Sequence, residues 1–284
     1  MIQAVWDKQS QWSQAADDLK DRVTTARDFV LTFTIVGAVL STAGAGVGLD
    51  TTTGQVLVYL AAVVAAGSAI ATAFAGKENS EPWTRARSVA EAIKSEAFTY
   101  LAQAGDYAAA TRDDRLAEQV ARLEEGAADL YVRVTAFKPK QRVPPVVTDA
   151  GTYATERVKQ QVEGYYLPKA RELDGWIRRA RLLVVVLGAI GSAFAVAAGK
   201  FELSGLAVWV PVVTSITSAI TAHVAAERWD LLRLEYSRTA LQLSHLLSSF
   251  ERDKLQPGEF VVGCETVITA QNKAWLAKLA EPPK

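Results

Sequence analysis

Four uncharged, mostly apolar stretches, Phe29–Leu49, Thr51–Gly76, Leu182–Gly199 and Leu203–Ala226, interrupt a chain that is otherwise dense in charge. At about 1.5 Å of rise per helical residue, each can cross a hydrocarbon core about 30 Å thick. Helices of soluble proteins average roughly 10–14 residues. Four such runs, set as two close pairs, therefore predict a membrane protein with two hairpins of spans. Buried hairpins in a soluble bundle are the competing reading, and the 50% hydrophobic composition alone would allow it.

Between the spans the period is helical. Ala86, Val89, Ala90, Ile93, Ala97, Tyr100, Leu101 and Ala104 draw one apolar stripe at steps of three and four. Leu116, Val120, Leu123, Ala127, Leu130 and Val134 follow a coiled-coil spacing, and Trp229, Leu232, Tyr236, Thr239, Leu243, Leu246 and Phe250 make a third stripe. Helices are expected over Ile2–Arg27, Pro82–Ala104, Asp113–Ala136, Thr152–Arg181, Glu227–Asp253 and Pro257–Leu279, with a break or kink at Pro168. No segment alternates long enough for a sheet. The expected fold class is all-α: a four-span helical membrane protein with long amphipathic cytoplasmic helices packed as a bundle below the bilayer.

Charge sets the expected topology. The connections inside the pairs carry only Asp50 and, in the second, Lys200 with Glu202, whereas Arg22, Arg27, Lys77, Arg85, Arg87, Arg178, Arg179, Arg181 and Arg228 flank the opposite ends. The positive-inside rule then places both termini and the central region in the cytoplasm. Trp83, Trp176 and Trp229 lie near those basic ends, where headgroup contact and packing between cytoplasmic helices are equally good readings. No short basic leader precedes Phe29, so the first span is expected to stay in the mature protein. With 31 basic and 31 acidic residues the net charge is zero, which argues against a dedicated nucleic-acid binder, and no sequence-specific nucleic acid is expected as a partner. Cys264 is the single cysteine, which excludes an internal disulfide and suits a small core residue.

The two halves repeat one another. Placing Ala26 and Arg27 on Ala180 and Arg181 also superposes Leu19 on Leu173, Val30 on Val184, Gly37 on Gly191 and Ala43 on Ala197. With short deletions, Ser68, Ala69 and Ile70 fall on Ser218, Ala219 and Ile220, and Glu81, Trp83 and Arg87 on Glu227, Trp229 and Arg233. A duplicated unit of helix, membrane hairpin and helix accounts for this order. The expected units are 1–137 and 150–284, joined by a proline linker at 138–149 that contains Pro139, Pro144 and Pro145.

Catalytic apparatus is scarce. His223 and His245 have no cysteine or carboxylate at ligand spacing, and Gly44, Gly46 and Gly48 lie in a span, where small residues serve helix packing. Glu91 and Glu96 are read as a solvated helix face. An enzyme is therefore disfavoured, and neither a metal nor a cofactor is expected. In the spans, Thr214, Thr217, Ser218 and Thr221 share one face and are candidate pore-lining residues, with ordinary helix packing and hydroxyl bonds to the preceding turn as the alternative. No acid, lysine or arginine lies inside a span, which speaks against an ion-coupled transporter. Gly37, Ser41, Gly67, Gly191 and Ala195 belong to small-residue ridges suited to close helix contact and to a homo-oligomer. Pro211 is a possible flexing point in the fourth span. His223, near the cytoplasmic end of that span, is a candidate pH-sensitive group if it faces a lumen, and loses that role if packed against Trp229. Lys138, Lys140 and Arg142 form a short basic cluster open to an anionic ligand or acidic partner, with a solvated linker as the alternative.

The order of amphipathic helix, two-span hairpin and a helix opening with Trp83, Arg87, Ala90, Glu91, Lys94, Glu96 and Tyr100, followed by Gly105 and Tyr107, resembles the SLATT family of bacterial membrane effectors and related membrane proteins with two such units. The second copy keeps Trp229, Arg233 and Tyr236 but lacks the alanine–glutamate pair, so it resembles the family in architecture more than in motif. The resemblance implies a bacterial inner-membrane protein in conflict or antiviral systems. Such hairpins are thought to form pores triggered by nucleotide-sensing partners, so a cytoplasmic partner of that kind or a nucleotide ligand is implied as well. The resulting expectation is a homo-oligomeric gated pore or membrane-disrupting effector; the rival is a non-conducting scaffold whose bundle recruits partners.

Overall fold

The computed structural model describes residues 1–201 and 204–280, excepting the side chains of Lys77, Ser204 and 273–280. Among the described residues every regular element is helical. Four helical runs are long and apolar enough to cross a membrane, and at most 17% of the residues in any of their apolar windows are buried by the rest of the chain. The protein is an all-α, multi-pass membrane protein.

Helix α1 (Ile2–Val47) carries the first amphipathic segment and the first span without interruption. It ends at Gly48, whose φ of 102° is a conformation that side chains disfavour. Helix α2 (Thr52–Ala75) starts one short turn later, capped by Thr51, whose hydroxyl accepts from the Gly54 amide at 3.0 Å. Helix α3 (Lys77–Leu101) begins after a bend at Gly76, earlier than the expected Pro82, which sits inside it. The expected single helix over Asp113–Ala136 is divided into α4 (Arg112–Glu125), a 3-10 turn and α5 (Tyr131–Thr135), because the chain turns at Gly126 and Ala127. Leu116, Val120, Ala127, Leu130 and Val134 are nevertheless buried in one core with α1 and α3.

The segment after α5 runs extended to Asp149, which opens α6 (Ala150–Tyr153) with a capping box completed by Thr152. Helical backbone then continues to Lys200. Pro168 does not break it, contrary to expectation. Two π turns, Ala154–Lys159 and Val162–Tyr166, precede the proline, which occupies the first turn of α7 (Leu167–Lys200). A wider turn accommodates both the missing amide and the bulk of the ring. The second hairpin returns through α8 (Ser204–Ala207) and α9 (Val210–Glu227), with Pro211 in the first turn of α9 after a turn at Trp209. Leu203, the expected start of this span, lies outside the described residues. Arg228, at φ 54°, separates α9 from α10 (Trp229–Glu251), and α11 (Pro257–Ala280) closes the bundle.

Helices α3 and α10, which follow the two hairpins, end in the same way. Gln103 and Asp253 take left-handed φ values of 53° and 55°. Their amides bond to the carbonyls of Tyr100 and Phe250, and the next amides, of Ala104 and Lys254, bond to those of Thr99 and Ser249. Both are Schellman caps.

Two cores fill the polar bundle. One gathers Trp12, Ala15, Ala16 and Leu19 of α1 against Ala86, Ala90, Ile93 and Ala97 of α3 and the α4 seam. The other packs Tyr153, Val158, Val162 and Tyr166 against Ala240 and Leu243 of α10 and Phe260, Cys264 and Ile268 of α11. Phe98 of α3 enters the second core, and a run of rings from Trp6 through Phe98, Tyr153 and Phe260 to Phe250 joins the halves, with centroid spacings of 5.9, 6.3, 5.9 and 4.3 Å.

Candidate functional site

The spans stand in an open row. Helix α1 is flanked by α2 and α9, and α7 packs on α9. Within the first hairpin the small residues carry the contacts. A β-carbon added at Gly37 would meet Val64 at 3.7 Å, one at Gly67 would lie 2.9 Å from the Phe33 ring, and one at Gly44 would lie 2.8 Å from Val58. In the second hairpin, among the described residues, Gly191 is close, at 3.3 Å from Val213, while Gly188 and Gly199 have no described neighbour within 4 Å. Ala195 is exposed, and Ser41 lines a groove of about 480 Å³ between α1 and α2. Of the five ridge candidates, Gly37, Gly67 and Gly191 thus sit at helix contacts inside the chain, whereas Ser41 and Ala195 face outward.

Thr214, Ser218 and Thr221 are exposed on a face of α9 that no other described residue covers, and Thr217 sits half-buried at its edge. The hydroxyls of Thr214, Thr217 and Thr221 donate to the carbonyls of Val210, Val213 and Thr217 at 3.1, 2.8 and 2.9 Å. The face is therefore mildly polar yet leaves none of these three donors unmet. His223 lies off it. Its ring meets Trp229 edge-on at 5.9 Å, and its Nε2 stands 3.8 Å from the Asp28 carboxylate of α1. Arg27 and Glu227 pair beside it at 3.0 Å, tying α1 to α9 where the apolar runs end.

Lys138, Lys140 and Arg142 have exposed side chains, but their backbone is fastened to α1. The Gln11 and Gln14 amides donate to the carbonyls of Phe137 and Lys138 at 2.8 Å each, the Lys140 amide donates to the Ser10 hydroxyl at 2.9 Å, and Gln3 reaches the Arg142 carbonyl at 3.3 Å. A strap, not a free linker, presents these charges.

The polar bundle holds a half-open charged pocket of about 80 Å³ where α3, the π turns, α10 and α11 meet. Helix α3 supplies Arg87, Glu91 and Lys94; Gln161, Tyr165 and Tyr166 come from the π region, Tyr236 from α10, and Gln271 and Asn272 from α11. This corrects the reading of Glu91 and Glu96 as a solvated face. Glu91 is largely buried and takes Arg87 at 2.9 Å, and Glu96 accepts from the Tyr107 hydroxyl. Burial works to raise the Glu91 pKa, but Lys94, Arg87 and Arg157 together pull it below the usual carboxylate value. Burial lowers Lys94, aided by Arg157 and Arg87 against the pull of Glu91.

Arg157 stands next to this pocket, 1% exposed, with Nε 2.9 Å from Oε1 and Nη2 3.1 Å from Oε2 of Glu265. The Tyr153 hydroxyl donates to the same carboxylate at 2.9 Å, and the guanidinium lies 4.6 Å from the centre of the Phe98 ring. Burial opposes the charge of Arg157, and Glu265 more than offsets it. Arg157 Nη1 is buried without a hydrogen-bond partner among the described residues. Sequence reasoning missed Arg157 and Glu265. The available signal was a charge set among the apolar positions Tyr153, Val158 and Val162, and another between Cys264 and Ile268.

Residues 153–275 match the family model of the SMODS and SLOG-associating 2TM effector domain 1, and residues 10–115 match a family described as proteins of unknown function (DUF4231). The effector model thus falls on the half that carries the π turns, the looser hairpin and the Arg157–Glu265 pair, although the residues quoted for the resemblance lie mostly in the other half. No curated protein and no solved structure matches the chain. The chain is accordingly a multi-pass membrane protein that is SLATT-like over residues 153–275.

Proposed function

We propose that the protein is a membrane effector that assembles as a homo-oligomer in a bacterial inner membrane, termini in the cytoplasm, and opens a gated pore as part of a conflict or antiviral defence system. The observation that carries this reading is the uncovered face of Thr214, Ser218 and Thr221 on α9, in an open row of four spans that encloses no lumen by itself. Copies arranged about an axis would bring equivalent α9 faces together and surround a mildly polar path. The protein would act without catalysis, cofactor or metal, and its bundle would receive the trigger, from a nucleotide-sensing partner or a nucleotide.

Planar-bilayer recordings test the reading. Wild-type protein should pass discrete currents, and Ser218→Leu and Thr221→Leu should dry the path and cut conductance while the assembly persists on size-exclusion chromatography. Equal currents from wild type and variants would remove α9 from the lumen. The intrahelical hydroxyl bonds favour the second reading, a non-conducting scaffold, and a monodisperse monomer with no current in any lipid would establish it. For orientation, a cysteine at Thr52 in a Cys264→Ser background should react with an impermeant thiol reagent in intact cells, and one at Gln141 should not.

A further inference from the structure

At the base of the first hairpin an open groove of about 820 Å³ runs between α1 and α2. Its deeper walls are apolar: Phe29 and Phe33 of α1 with Gly67, Ile70, Ala71 and Phe74 of α2, the Phe33 ring packing on Gly67. Its mouth is charged. Asp18, Asp21 and Arg22 share one side of α1 at helical spacing, and Asn79 of α3 and Arg133 of α5 complete the rim. The groove therefore crosses the level at which the apolar runs end. Gly67 lies nine positions before Gly76, roughly 13 Å along the helix. One leaflet supplies about half of a hydrocarbon core roughly 30 Å thick, so the groove has the depth for most of one acyl chain. Its volume falls in the range of about 300–1,000 Å³ common to ligand sites. Apolar depth and a charged mouth together match an amphipathic molecule.

The charges at the mouth decide which one. Among the described residues they balance, Asp18 and Asp21 against Arg22 and Arg133. Asp18 is shared by Arg22 at 3.1 Å and Arg133 at 3.5 Å, so one carboxylate serves both guanidinium groups and each keeps N–H donors for a further oxygen. Asp21 is exposed, and no ion pair or side-chain hydrogen bond joins it to any described residue. We propose that the groove binds one phospholipid whose zwitterionic headgroup carries a primary ammonium, with the phosphate on Arg22 and Arg133, the ammonium on Asp21 and one acyl chain along Phe29, Ile70 and Phe74. The arginine fork matches a phosphate. A primary ammonium offers three donors to the Asp21 carboxylate, a quaternary one offers none, and an anionic headgroup would set a like charge against it. The bound lipid would tie α1 to α2 and, through Arg133, to α5. This site is independent of whether the spans conduct.

The test uses the full chain in detergent, with phosphatidylethanolamine, phosphatidylcholine and phosphatidylglycerol of identical acyl chains added one at a time. Native mass spectrometry and the unfolding temperature should show saturable binding of one ethanolamine lipid, about ten-fold tighter than the choline lipid, the worth of one charge-assisted hydrogen bond. Asp21→Asn should abolish that preference, Arg22→Gln should weaken both lipids alike, and Asp230→Asn at the base of the second hairpin should change neither. Equal binding of the ethanolamine and choline lipids, tighter binding of the glycerol lipid, or a preference that survives in Asp21→Asn overturns the proposal. Copies carrying Ile70→Cys in a Cys264→Ser background should not cross-link in ethanolamine-lipid vesicles; a disulfide-linked dimer would seat a second copy in the groove and overturn the lipid as its occupant.

Discussion

The two hairpins share an order of elements but not a quality of packing. In the first, Gly44, Gly54 and Gly67 bring backbone against neighbouring atoms so closely that an added β-carbon would fall within 3 Å of one. In the second, Gly188 and Gly199 meet no described atom within 4 Å, the return helix of the hairpin is broken at Val208 and Trp209, and the hydroxyl face of α9 is not covered by any described residue. Below the spans the character changes. The first unit is held by an apolar core around Trp12, while the core of the second is crossed by the buried Arg157–Glu265 pair. Close small-residue packing leaves the first hairpin little freedom and suits a rigid anchor. The second keeps surface available for contacts outside the chain, and its rigidity resides in the bundle beneath it.

The largest effect is expected where the second unit keeps its buried charge. Glu265→Leu leaves Arg157 without its carboxylate, and the cost should be about 3–5 kcal/mol. Thermal unfolding in detergent would report it as a lower midpoint. Adding Arg157→Met should recover much of the loss, because an apolar pair of similar volume replaces an ion pair whose desolvation cost is high. If the double variant is as unstable as the single, charge is not what the site requires.

Next in size is the contrast between the hairpins themselves. A β-carbon at Gly54 would sit 2.0 Å from the Gly48 carbonyl oxygen and 2.9 Å from that of Gly44, so Gly54→Ala should destabilise by about 1–3 kcal/mol. Gly188→Ala meets no atom within 4 Å and should be neutral or stabilising by up to about 1 kcal/mol, the gain in helix propensity. Matching losses from both variants in the same unfolding assay would show that the second hairpin is as tightly packed as the first.

Most of the fold was legible because its signals are local. Charge-free length marks the spans, and Gly48, Thr51 and Gly76 mark their ends. The breaks at Gly126 and before Pro211 depend on how the chain is held by its neighbours, and the π turns ahead of Pro168 carry helical backbone through a position where proline alone suggests a break or kink. The charged pocket was not legible, because Lys94 and Arg157 are 63 positions apart in the numbering and only tertiary packing brings them near one another. Glu91 and Glu96 read as solvent-facing for the same reason: the elements that cover them, the π region for one and the turn at Tyr107 for the other, lie outside their own helix.

A smaller effect separates Glu96 from the residues around it. Burial is the leading cause that raises its pKa above the ordinary 4.5, the Tyr107 hydrogen bond lowers it in part, and the charges of Glu265 and Asp106 raise it further. The folded state therefore holds a proton more tightly than the unfolded one. Stability is greatest below pH 4.5 as far as this group is concerned, and falls as pH rises through the raised value. Glu96→Gln should flatten that segment of the stability–pH curve, measured by denaturation at a series of pH values; an unchanged slope would assign it to other carboxyls.

The smallest effect compares the matching caps of α3 and α10. Gln103 and Asp253 both occupy the left-handed position of a Schellman cap, where glycine carries no steric penalty. Replacing either with glycine relieves local strain of about 1 kcal/mol but enlarges the conformational freedom of the unfolded chain, so the net gain should be about 0.5 kcal/mol or less. The two should not be equal. Aspartate tolerates this conformation better than glutamine because its short side chain bonds locally, so Gln103→Gly should stabilise more than Asp253→Gly. Equilibrium unfolding of the two variants side by side decides it. A loss of stability at Gln103 would mean that its side chain makes a contact worth more than the strain it bears, and would set the first unit's cap apart from the second's.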